Sequence, residues 1–130
     1  MNTLAGSMRI SASGLTAERF RMDVISSNIA NASSMRVAGK DPYRRRDVAL
    51  SGGVDGVRIV GIIEDQKPFR VVSDPGNPNA DAKGNVTYSN VEPIAEMVNM
   101  LGASRAYEAN IAAFNSAKGM IKSALQIGKI

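Results

Sequence analysis

Apolar residues return with a four-three stagger at both ends of the chain, and that repetition limits the architecture more than any other feature. Near the start the row is Leu4, Met8, Leu15, Met22, Ile25 and Ile29, with Ser11 and Glu18 at intermediate positions. Ile10, Ala17 and Val24 widen the face. A stagger sustained over about four heptads is the seam of a coiled coil. Towards the end, Met97, Met100, Ser104, Tyr107, Ile111, Phe114, Lys118, Ile121 and Leu125 repeat it. Pro93 suits the first turn of that second helix, where its missing N–H costs nothing, and Gly128 suits its end.

The middle of the chain has a different texture. Residues 35–56 are glycine-rich and basic and read as a long loop. In "GVRIVGIIED", Val57, Ile59 and Ile63 share one face of a strand, and Val60 and Ile62 share the other. "PFRVV" and "NVTYSNV" supply two further short strands, separated by the Pro- and Gly-punctuated "SDPGNPNADAKGN". The expected fold is mainly α with a small antiparallel β insert. Residues 1–34 form an N-terminal coiled-coil helix, 35–92 a basic loop and small β region, and 93–130 a C-terminal coiled-coil helix.

Such a pair of helices buries little. The 130 residues make one modest domain, with no Trp, three Phe and three Tyr to anchor a core. Burial contributes about 25 cal/mol per Å², against an ordering cost of roughly 1.5 kcal/mol per residue. A narrow seam is marginal on that scale. The chain therefore reads as a subunit, with terminal helices that stay disordered until partners cover them.

Composition narrows the chemistry. Without His or Cys the commonest general base, soft metal ligands and disulfides are absent. No nucleophilic constellation is visible, and Asp65, Asp74 and Asp81 read as acidic turn residues. "SGGVDG" and "ADAKGN" lack the Lys–Ser/Thr ending of a phosphate-binding loop. "NAS" at Asn31 and "NVT" at Asn85 match the glycosylation acceptor triplet, a pattern that chance often produces. No catalytic residue, metal site, cofactor or small-molecule substrate is expected. The first residues carry neither a basic region nor an apolar core of a cleavable signal, and no run is long enough to span a bilayer. A soluble chain is expected, moved by some route other than general secretion if it leaves the cytoplasm.

The formal charge is +4, and residues 36–58 hold Arg36, Lys40, Arg44, Arg45, Arg46 and Arg58 against Asp41, Asp47 and Asp55. This run reads either as a solvated loop or as a contact for an anionic partner or acidic protein surface. "YRRRD", with Tyr43, could neutralise phosphates. No helix-turn-helix, zinc ligand set or aromatic platform accompanies it, so specific nucleic-acid readout has no vehicle.

One stretch runs against its surroundings. "SSNIANASS", residues 26–34, sets small polar side chains around Ile29 at the end of the first apolar row. Ser and Asn compete with the backbone for hydrogen bonds and are mediocre helix formers. With it, "SGLTAERFRMDVISSNIANASS" resembles the N-terminal segment of the bacterial flagellar rod and hook axial proteins. "DPYRRRDVAL", "DPGNPNADAKGNVTYSNVEP" and "EMVNMLGASRAYEANIAAFNSAKGMIKSALQIGK" extend the likeness over nearly the whole chain, in the same order, and narrow it to a proximal-rod subunit. The chain departs from that pattern at Asn77, Asn85 and Ser89.

The resemblance implies a structural subunit of the basal body, exported by the flagellar type III apparatus and polymerised in the periplasm. With its own copies and other rod subunits it would form a hollow shaft carrying torque from motor to hook. Helix packing and assembly would fall to Leu15, Met22, Ile25, Asn28, Ile29 and Asn31 on the first helix. On the second they would fall to Met97, Met100, Leu101, Tyr107, Asn110, Ile111, Phe114, Ile121 and Leu125. Asn28 and Asn31 would let helices approach closely, their amides bonding backbone where the chain leaves the coil. Arg44, Arg45 and Arg46 would meet an acidic surface of a neighbour, and Leu4 and Met8 would be read at the export gate. Another rod subunit, or a basic coiled-coil protein associated with nucleic acid, is the alternative.

Overall fold

The computed structural model describes residues 3–128; the outermost residues assigned above to the two helical regions, 1–2 and 129–130, lie outside it. Six elements follow in order: α1 (Leu4–Ala30), β1 (Arg46–Gly53), β2 (Gly56–Glu64), β3 (Arg70–Ser73), β4 (Asn85–Tyr88) and α2 (Pro93–Ile127). The protein is mainly helical with two small strand pairs, β1 with β2 and β3 with β4.

Local chemistry sets the helix limits. The Thr3 hydroxyl oxygen accepts the Gly6 N–H at 2.9 Å, an N-cap that satisfies one of the free donors of the first turn. At the other end Asn31 donates both its backbone N–H and its side-chain amide to the Ser27 carbonyl, at 3.1 and 2.8 Å. The mediocre helix formers of residues 26–30 thus stay helical. α2 starts at Pro93, and Gly128 follows its last residue.

The reading of residues 35–56 as one long loop needs correction, because Arg46–Gly53 is a strand. Its own residues carry no strand signal. The partner supplies the order: only residues 54–55 separate it from β2, so the two strands pair antiparallel as a hairpin. Upstream, Val37 and Lys40 exchange both backbone hydrogen bonds, at 3.2 and 2.9 Å, around Ala38 (φ 50°) and Gly39 (φ 78°). Two consecutive left-handed residues make this a type I′ turn.

The chain divides into two compact units. The first comprises Met1–Met22, Val48–Gly61 and Leu101–Ile130. Its buried positions are small: Gly6, Ser11, Gly14 and Ala17 on α1, Ala103 and Ala117 on α2. At Gly14 the helices touch, since a Cβ there would lie 2.8 Å from the Asn110 amide. The large residues of the heptad row flank this line, with Leu4 exposed and Met8 and Leu15 half-buried. Small side chains admit a closer backbone approach than Leu or Met would. The hairpin docks on the same stretch of α1, where Ser13 Oγ donates to the Ile10 carbonyl at 2.7 Å and accepts the Val57 N–H at 3.0 Å.

The second unit comprises Asp23–Asp47 and Ile62–Met100. Val24, Ile25, Ala32, Val86 and Val91 form its apolar core. β3 and β4 pair antiparallel with Val72 opposite Val86. Met35 forms an isolated bridge with Tyr88, flanked by hydrogen bonds from the Arg36 N–H to the Thr87 carbonyl and from the Ser89 N–H to the Ser34 carbonyl, at 2.8 and 2.9 Å. The connection after β3 folds on its own side chains: Asp81 Oδ1 accepts the N–H groups of Lys83 and Asn85, and Asn77 Oδ1 accepts that of Asn79.

Candidate functional site

The most organised chemistry in the chain is a buried polar joint within the second unit. Asn28, near the end of α1, is fully buried. Its amide nitrogen donates to the Arg46 carbonyl at 2.8 Å and to Glu96 Oε2 at 3.1 Å. Its oxygen accepts the Arg46 N–H at 3.0 Å and the Tyr43 hydroxyl at 2.8 Å. All four hydrogen-bonding positions of the carboxamide are filled. Asn28 thus treats Arg46 as a neighbouring strand would, taking both of its backbone groups.

Glu96, on the first turn of α2, is 1% exposed, and its other oxygen accepts Arg45 Nε. Arg45 also faces Asp65 at 3.4 Å and Asp47 at 3.7 Å. Burial opposes the guanidinium charge, but the hydrogen bond and charge of Glu96, with Asp47 and Asp65 behind them, hold the Arg45 pKa above its ordinary value. The Arg45 backbone is fixed as well, its N–H donating to Asn90 Oδ1 at 2.7 Å and its carbonyl accepting the Asp65 N–H at 2.8 Å. Asn90 completes the ring by donating to the carbonyls of Asp65 and Lys67. These atoms are spent on the protein itself, and the arrangement works as a joint that binds both helices, the start of β1 and the residues after β2.

The basic triplet expected to face a neighbour is divided by this joint. Arg45 is held inside it. Arg44 is half-buried, donates to the carbonyls of Asp65 and Lys67 at 2.9 and 3.1 Å, and lies 4.1 Å over the Phe69 ring. Arg46 remains exposed beside the Tyr43 ring. The reason is local: Arg44 and Arg45 precede β1 and each finds partners within the chain, Arg44 at the carbonyls of Asp65 and Lys67 and Arg45 at Glu96, while Arg46 opens the strand.

The helix residues singled out from the sequence spread over every degree of burial. Ile25 and Asn28 are buried; Leu15, Met22, Ile29, Asn31, Met100, Tyr107, Asn110, Phe114 and Ile121 are half-buried; Met97, Leu101, Ile111 and Leu125 are exposed. Asn28 does bond backbone, but that of Arg46 in the same chain. Asn31 satisfies a carbonyl at the end of its own helix. Leu4 and Met8 open α1, exposed and half-buried. The sequence reading missed Glu96 and Asn90. A carboxylate seven residues before Ala103, on the inward face of α2, was the available signal for Glu96. Nothing marked Asn90.

Among the described residues no group of three or more His, Cys, Asp or Glu side chains could hold a metal ion, and no helix is long and apolar enough to cross a membrane.

Comparison with known proteins adds a consistent set of likenesses. A family model described as flagella basal body rod protein matches residues 8–34, and one described as flagellar basal body rod FlgEFG protein C-terminal matches residues 82–127. The first segment contains Asn28, the second Glu96. The flagellar basal-body rod protein FlgC of Bacillus subtilis (strain 168) is 42% identical over 95% of this chain and 97% of its own length. The FlgC proteins of Escherichia coli O6:H1 and Borreliella burgdorferi are 41% and 40% identical, over 92% and 95% of this chain and 94% and 97% of their own lengths.

Proposed function

The chain belongs to the FlgC family of flagellar basal-body rod proteins, and from that premise we propose that it is a proximal-rod subunit, joining with its own copies and other rod subunits into the hollow shaft that carries torque from motor to hook. Export through the flagellar type III apparatus into the periplasm, with Leu4 and Met8 read at the gate, belongs to the same reading. So does an acidic neighbour for Arg46, the exposed member of the triplet.

One observation carries the reading. Ile94, Met97 and Val98 fall at i, i+3 and i+4 of α2, share one face, and are 54–78% exposed. A well-formed apolar row left in water marks a surface that another molecule covers. A rod supplies such cover all along its length.

The test replaces Ile94, Met97 and Val98 by Ser together. The three side chains are exposed, so the urea midpoint of the purified subunit should hold. Cells carrying the variant should stop swimming, with the subunit missing from purified hook–basal bodies. A deletion strain should lack rod and hook while keeping the membrane ring. Normal incorporation of the triple variant, or a motile deletion strain, contradicts the reading.

A further inference from the structure

The net positive charge of the described residues is concentrated in one unit and only partly countered there. The described residues of the unit comprising Met1–Met22, Val48–Gly61 and Leu101–Ile130 carry seven arginines and lysines against Glu18, Asp55 and Glu108, a net +4. Among the described residues of that unit only Arg21 has an ion pair, with Glu18. The other unit carries eight cations against nine carboxylates, a net −1, and ties Arg36 and Arg45 to acidic partners.

The imbalance sharpens along the second half of α2. Residues 109–127 contain no carboxylate. Lys118 and Lys122 stand one turn apart and exposed, beside Ile111 and Leu125, which are exposed too. Like charges at i, i+4 repel along a helix, and this pair has no acidic neighbour in its own turn to relieve it.

We infer that the molecule seated on the Ile111, Lys118, Lys122 and Leu125 face is an acidic protein chain of a different kind, presenting a helix with carboxylates beside its apolar row, and not a second copy of this chain. The inference rests on the rod-subunit reading and names the partner chemistry of one face. A second copy offers either another unit at +4, which repels, or a unit at −1, where eight cations offset all but one of nine carboxylates. Packed helices lie about 8–10 Å apart, close to the Debye length of about 8–10 Å at roughly 0.1–0.15 M salt, so charge across such a contact is felt in part at physiological salt and strongly at low salt. An acidic helix turns the same charges into attraction and gives Ile111 and Leu125 cover.

The experiment titrates the purified full chain with two synthetic helical peptides that share one apolar row. One row is flanked by glutamates and the other by lysines, with binding read by fluorescence anisotropy and self-association by sedimentation velocity. The glutamate peptide should bind, more weakly as salt rises, and the lysine peptide should not. Lys118→Glu with Lys122→Glu should weaken that binding about tenfold or more, and Lys118→Arg with Lys122→Arg should preserve it. Any self-association of the chain at low salt should be unchanged by Lys118→Glu with Lys122→Glu, because another face makes that contact. Loss of self-association in that variant, equal binding of both peptides, or no effect of charge reversal on peptide binding overturns the inference. The rod reading is judged separately, by whether the wild-type chain is present in purified hook–basal bodies.

Discussion

Around Gly14, where α1 meets Asn110 of α2, the buried residues of the unit are Ser11, Ala17, Ala103 and Ala117, side chains with little apolar area to bury. Around Asn28 the two helices meet through a carboxamide bonded to a carboxylate, with Val24, Ile25, Val86 and Val91 close-packed within the same unit. The largest fully buried side chains, Glu96, Val86, Asn28 and Ser89, all fall in that second unit. The difference teaches where a lone subunit gets its order. Burial of larger side chains and a filled hydrogen-bond network stabilise the second unit from within. Close approach of small residues shapes the first unit but contributes little hydrophobic free energy, so neighbours must supply it.

That contrast breaks most visibly at Arg45. Glu96 is 1% exposed, and its two carboxylate oxygens are hydrogen-bonded to Arg45 and Asn28. Arg45→Ala strands that carboxylate and should cost about 3–5 kcal/mol in urea unfolding followed by circular dichroism, and Arg45→Met with Glu96→Leu should recover much of the loss. A single-variant cost below about 1 kcal/mol would remove the joint from its place in the comparison.

Next in size is Gly56, in the first unit. Its φ of 111° disfavours any side chain, and a Cβ would lie 2.3 Å from Ser13 Oγ. Gly56→Ala should cost about 2 kcal/mol. Hydrogen exchange should localise the damage: the Val57 amide should exchange faster, and the Arg36 and Ser89 amides should keep their protection.

Asp81 gives the smallest effect and tests the second unit by pH. The N–H of Asn85 favours its carboxylate most; slight burial opposes this, and the N–H of Lys83 with the charges of Lys83 and Arg36 outweighs it. The Asp81 pKa is therefore held below the ordinary 3.8. A carboxylate depressed by folding contributes in full above its unfolded pKa and loses that contribution as pH falls through the folded one. Thermal midpoints taken at about pH 6 and about pH 3 should differ more for the wild type than for Asp81→Asn. Equal differences would show that the turn after β3 gains nothing from this charge.

Much of the fold was legible because it is local. The apolar stagger marked both helices, Pro93 fixed the start of one, and β-branched runs marked β2, β3 and β4. β1 was not legible, since "RDVALSGG" is a strand by virtue of β2 alone. Ser11 and Ala17 stood in or beside the heptad row, but Gly14 was missed, and that the line is buried more deeply than Met8 and Leu15 was not legible, because close approach is a property of both helices together. Asn28 stood out only as one of the small polar residues set around Ile29 at the end of the apolar row. Its partners lie 15, 18 and 68 positions away, beyond any local pattern.

The grip of Asn28 on both backbone groups of Arg46 also governs how the molecule can evolve. It sets where the ribbon departs from the helix without reference to how far the ribbon extends, because the tip at Val54 is almost wholly in solvent. The root is held by Asn28 and the start of β2 by Ser13, which accepts the Val57 N–H, so a change of length confined to residues 54–55 touches neither bond.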